Sequence, residues 1–129
     1  MTTENLNVLE AVRFLCEGQG DIAEEIYNEV EAYWEPESPG VGFLSFTVEI
    51  GLRKDLINWK KLFENIEVTL TSPRYADHAD TIRTHILEGF SNKVASGSLP
   101  ARILLDNAGP VARAHMKSWE LAMSGKTIF

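Results

Sequence analysis

The chain has one cysteine in 129 residues, no apolar run long enough to cross a membrane, and one basic side chain in its first fifty positions. Each shortage excludes something. A lone cysteine, Cys16, forms no internal disulfide, so the cytoplasm is the expected compartment. Cys16 closes a first apolar stripe, where a free cysteine packs as a small hydrophobe. A reactive thiol needs cations beside it, and its local neighbours are Arg13 and the opposing Glu17. A membrane span needs roughly 20 apolar residues. A secretory leader starts basic and then runs apolar, whereas MTTENLNVLEAVRF carries Glu4 at that place. Neither a span nor a leader is expected.

Catalytic signatures are also missing. No G-x-S-x-G, HExxH, P-loop or dinucleotide fingerprint occurs, so a non-enzymatic protein without a cofactor is expected. His78 and His85 are two helical turns apart, roughly 10 Å along an axis, too far to share one zinc ion, and no metal site is expected. His115 with Ser118 three residues on is the only local base and nucleophile pair, a spacing common by chance. The plain reading of His115 is a side chain at the edge of an apolar helix face.

What is present is a globular composition, 44% hydrophobic and 24% charged, at a length usual for one domain. The net charge of −7 conceals a split. Residues 1 to 50 carry eleven carboxylates and only Arg13 against them, a local sum of −10, whereas residues 51 to 129 carry eight acids and eleven Lys or Arg, a sum of +3. Phosphate binding needs clustered Lys and Arg, so nucleic acid is excluded as a partner of the first part, and a basic protein fits it better.

The split centres on residues 21–37, DIAEEIYNEVEAYWEPE. At 100° per residue Ile22, Ala23, Ile26, Tyr27, Val30, Tyr33 and Trp34 fall in a sector of about 140°, with Glu24, Glu25, Glu29 and Glu31 opposite. Asp21 and Glu24 read as an acidic capping box. A first helix is expected from an N-cap at Thr3 to about Glu17, ended by Gly18 and Gly20, and Pro36 and Pro39 stop the second. In VGFLSFTVEIGLRK, Phe46, Val48, Ile50 and Leu52 alternate like a strand. Val41, Leu44, Val48 and Leu52 also recur at helical spacing, with Phe43, Phe46 and Ile50 beside them. A lone strand has no partner in the chain, so a helix buried on most sides is expected over residues 41–54, strand being the other reading. From Asp55 onward Leu56, Trp59, Phe63, Ile66 and Leu70 mark an amphipathic helix. Ala79, Ile82, Ile86 and Phe90 mark another, Ile103 and Leu104 a short one, and Val111, Ala114, Trp119 and Ala122 the last. The expectation is an all-α domain of six or seven helices over residues 1–129, an antiparallel array or short α-solenoid-like bundle.

With YWEPESPGVGF, ILEGF and AGPVARAHMKSWE in view, residues 25 to 121 resemble a family of small bacterial helical proteins of unknown function, similar to immunity proteins of polymorphic toxin systems. The resemblance implies a helical array and no catalytic residues. The opening helix lies outside it, and the 41–54 segment departs from it by its wealth of β-formers.

The expected function is protein binding: a basic partner, such as a toxin domain, held by Glu24, Glu25, Glu29, Glu31, Glu35 and Glu37, with Tyr33 and Trp34 as aromatic anchors. Two other classes remain open. One is a small-molecule sensor or enzyme with an interhelical pocket lined by Trp59, Phe63, Tyr75, His78 or His115. The other is an adaptor or oligomerising scaffold, which would leave an apolar patch exposed.

Overall fold

The computed structural model describes residues 7–129, and the expected N-cap at Thr3 lies outside them. The first described helix, α1, is short, Val8–Leu15. Its N-cap is Asn7, whose side chain accepts from Glu10 N at 2.8 Å while Glu10 Oε1 accepts from Asn7 N at 3.4 Å, a reciprocal cap. Gly18 and Gly20 take positive φ and turn the chain away. α2 follows at Ile22–Tyr33. Asp21 does not cap it, because its backbone is already helical and its side chain makes no cap bond. α2 ends before Pro36, as expected, and Pro39 stands in the first turn of α3, Pro39–Leu52, so the 41–54 segment is helix as far as Leu52 and turn at Arg53 and Lys54.

α4 spans Trp59–Thr71 and is capped by Asn58, whose side chain accepts from Lys61 N at 3.1 Å. Because the helix starts there and not at Asp55, Leu56 falls in the preceding turn and is exposed. A 3-10 segment, Pro73–His78, leads into α5, residues 79–95, which is α-helical at Ala79–Ile82, π-helical at Arg83–Leu87 and α-helical again at Glu88–Ala95. The Thr47 hydroxyl lies 2.8 Å from His85 O and 3.0 Å from Phe43 O, giving the widened turn's carbonyl a donor. α6, Ala101–Asn107, and α7, Pro110–Ser124, complete the order. The inward face of α7 is Ala112 and Met116, one step round from the expected stripe, and Ala114 and Ala122 are exposed.

Seven helices and no strand occur among the described residues. Buried side chains from all seven form one contiguous apolar cluster. α4 touches α1, α5, α6 and α7, and α3 touches α1, α2 and α5. Such cross-contacts make a bundle round a shared core, unlike a solenoid, in which each unit meets only its neighbours. Small residues let α3 sit deep among its neighbours. A Cβ on Gly42 would lie 2.5 Å from Val8, and one on Gly89 of α5 would lie 2.9 Å from Thr47. Gly40 meets His85, Thr47 meets Gly89 and Gly51 meets Lys93, so α3 and α5 run parallel.

Candidate partner-binding surface

α2 presents its glutamates outward, but they divide by flank. Glu24 accepts from Arg13 Nη1 at 2.8 Å, and the Arg13 guanidinium lies 3.6 Å from the Tyr27 ring centroid. This places Glu24 and Tyr27 beside α1. At 100° per residue Glu31 lies about 20° from Glu24 on the Tyr27 side, while Glu25 and Glu29 lie about 100° and 140° round the other way. They border the flank where α2 meets α3, the other helix it packs against. Glu35 and Glu37 continue the acid into the loop between the two helices. Glu25, Glu29, Glu31, Glu35 and Glu37 are all exposed, and none has a cationic partner among the described residues.

The two aromatic candidates separate. Tyr33 is 65% exposed at the end of α2. Trp34 is half-buried against the core, with its ring beside Gly42, and its indole N–H is enclosed with no acceptor among the described residues. Tyr33 is thus the surface aromatic, and Trp34 closes the core beneath it.

The largest departure from expectation is in α3. Phe43, Phe46 and Ile50 are fully buried, whereas Val41, Leu44, Val48 and Leu52 are 41, 50, 43 and 74% exposed. The stripe that the spacing offered as core faces out. These four side chains lie within a sector of about 80°. Ser45 and Glu49 separate the stripe from α2, and Glu49 is occupied by Arg53 at 2.7 Å. On the other side His85 lies over Gly40 and Lys93 over Gly51. The surface is therefore an apolar line with unpaired carboxylates on its α2 side and a histidine and a lysine on its α5 side. A sequence signal for it existed in outline: α3 is apolar on most of its circumference, and such a helix needs a cover on most sides.

Two of the three histidines pack against other side chains. His115 Nε2 pairs with Glu88 at 2.8 Å, and His78 packs edge-on against Phe43. Trp59, Phe63 and Tyr75 are core residues. One cleft of about 460 Å3 is lined by Arg13, Tyr27, Arg74 and Tyr75 among others, and another of about 330 Å3 by Val94, Trp119, Met123 and Ile128 among others. Neither cleft is lined by a histidine. No group of three His, Cys, Asp or Glu side chains suited to a metal ion occurs among the described residues. Cys16 is buried, and burial pushes its thiol up from 9.0 to about 12 despite Arg13, which leaves it a poor nucleophile. No helix among the described residues is long and apolar enough to cross a membrane. Comparison with protein-family models, with curated proteins and with solved structures finds no match to this chain.

Proposed function

We propose that this chain is a non-enzymatic protein-binding domain that takes a basic protein on the acidic surface of α2 and the loop after it. The activity would be of the immunity type, in which occupying the basic cleft of a toxin domain blocks it. One observation carries this reading: five exposed glutamates, Glu25, Glu29, Glu31, Glu35 and Glu37, stand unpaired, and four of them, all but Glu31, border apolar side chains that the fold leaves uncovered. Unpaired surface charge contributes little to folding, but it steers a complementary partner and speeds association. The uncovered apolar side chains also favour a second reading, an adaptor or self-associating scaffold. The charge opposes self-association, because a second copy brings the same unpaired glutamates to the same face.

The test is kinetic. A basic protein recovered on the wild-type chain is identified and purified, and its association rate is measured against wild type and against Glu25→Lys, Glu29→Lys, Glu31→Lys combined. The rate for the triple variant is expected to fall by about tenfold or more at low salt and to converge with wild type at high salt. An equal rate at low salt removes the acidic face from the binding account.

A further inference from the structure

We infer that the partner docks through a single amphipathic helix laid along α3, its apolar ridge on Val41, Leu44, Val48 and Leu52 and its basic edge toward α2. This rests on the protein-binding reading and specifies what the partner presents. The four side chains recur at intervals of three, four and four residues and run for about 16 Å along the helix axis. A line of side chains at that spacing is a helix ridge, and the surface that fits it is another helix, ridge against groove. The helix-in-groove mode uses the same repeat on the incoming segment, with apolar anchors at i, i+3 or i+4, and i+7. Tyr33, at the end of α2 that leads toward the start of α3, adds an exposed aromatic ring.

The borders decide what kind of helix fits. Glu25 and Glu29 line the α2 side, and Glu35 and Glu37 lie in the loop that opens α3, all without cationic partners among the described residues. The α5 side carries His85 and Lys93. The complementary helix therefore has Lys or Arg along the edge that meets α2 and neutral or acidic residues along the other. This asymmetry sets the direction in which the helix lies, because reversing it end to end puts its basic edge on Lys93. The same rim disfavours other covers. Anionic lipid headgroups meet unpaired carboxylates, and a second copy apposes its own acidic chain.

The probe is a synthetic 18-residue helical peptide with leucines along one face, lysines along one edge and glutamates along the other, added to the full isotopically labelled chain and followed by amide chemical shifts. Two control peptides are used: one of the same composition with scrambled order, and one with glutamate on both edges. Saturable one-to-one binding of the first peptide, with shifts confined to α2, α3, the loop between them and the edge of α5 that carries His85 and Lys93, is the expected result. Leu44→Ser with Val48→Ser is expected to weaken it about tenfold or more while leaving the helical content and the melting temperature of the free chain nearly unchanged, because both side chains are exposed. Leu52→Ser, the most exposed position, is the second variant and carries the same expectation at smaller size. No binding, equal binding of the scrambled peptide, shifts centred on another surface, or a marked loss of stability in the serine variants each overturns the inference. So do a dimer in sedimentation that the serine variants dissolve, which makes a second copy the occupant, and binding to anionic vesicles that they abolish. Should charge reversal on α2 slow a basic partner while the serine variants bind that partner normally, the docking helix fails and the acidic surface stands. Loss of binding in the serine variants with no effect of charge reversal leaves the apolar ridge as the docking site and removes the acidic surface.

Discussion

The same residue does different work in the two halves of this molecule. In the second half, three of the four glutamates are drawn into the structure. Glu67 on α4 accepts from Val111 N at 2.6 Å and Ala112 N at 3.1 Å, holding the start of α7 from another helix. Glu88 holds His115, and Glu120 accepts from Ser91 Oγ at 2.6 Å, Thr127 Oγ1 at 2.8 Å and Ile128 N at 3.1 Å, pinning the chain after α7. In the first half Glu10 caps α1, Glu24 meets Arg13 and Glu49 meets Arg53, but Glu25, Glu29, Glu31, Glu35 and Glu37 hold nothing. A carboxylate at a helix N-terminus satisfies orphan N–H groups and meets the favourable end of the dipole, so it belongs to the fold. One left in solvent on an outer face does not, and it is free to serve a partner.

The comparison can be broken most strongly within α3 itself, where one helix has a committed face and a free one. Phe46→Ala removes a fully buried ring and is expected to cost about 3–5 kcal/mol, whereas Val48→Ala two residues on is expected to stay within about 0.5 kcal/mol. Urea midpoints of the two variants measure this directly, and similar losses would mean that both faces are packed. Next comes the glutamate pair. Glu67→Ala strands two backbone N–H groups at the start of α7 and is expected to cost about 2 kcal/mol, while Glu29→Ala changes stability by about 0.5 kcal/mol at most. Equal midpoints for these two variants would erase the distinction between the halves.

An effect confined to alkaline pH, absent near neutrality, sharpens the first half's side of the comparison, since Cys16 is an ionisable group there that the fold does enclose. Its thiol is raised to about 12, so the folded state keeps it neutral at pH values where the unfolded chain, near 9.0, has lost the proton. The unfolded state then binds fewer protons, and stability that is fully present below about pH 9 is lost as pH rises toward 12, at up to about 1.4 kcal/mol per unit. Wild type should therefore lose stability with rising pH more steeply than Cys16→Ala. Parallel slopes would show that the thiol is open to solvent.

Much of this was legible in advance, and for a definite reason. Where apolar and charged residues alternate at helical spacing, as with Ile26 and Val30 against Glu25 and Glu29, or Ile82, Ile86 and Phe90, the pattern states both the helix and its inward side. The fate of Cys16 followed from its place at the end of an apolar stripe. The first helix was harder, since a cap at Asn7 with Glu10 and one at Thr3 with Leu6 and Leu9 beyond it are alike in a sequence. The inward face of α7 is not legible in the same way, because Ala112 and Ala114 are alike in a sequence and only packing buries the first and leaves the second exposed.

By itself the sequence determined that the chain is helical, that its acid is concentrated in the first fifty residues, and which side of α2 and α5 is core. Periodicity and charge are local properties, and they survive without knowledge of the neighbours. Tertiary structure decided which glutamates are spent on backbone N–H groups and which remain free, because Glu67 and Val111 are 44 positions apart. It also decided which side of α3 is covered. Residues 39 to 48 carry no charge to set the phase of that helix, so α1, α2 and α5 set it, taking Phe43, Phe46 and Ile50 and leaving Val41, Leu44, Val48 and Leu52 outside.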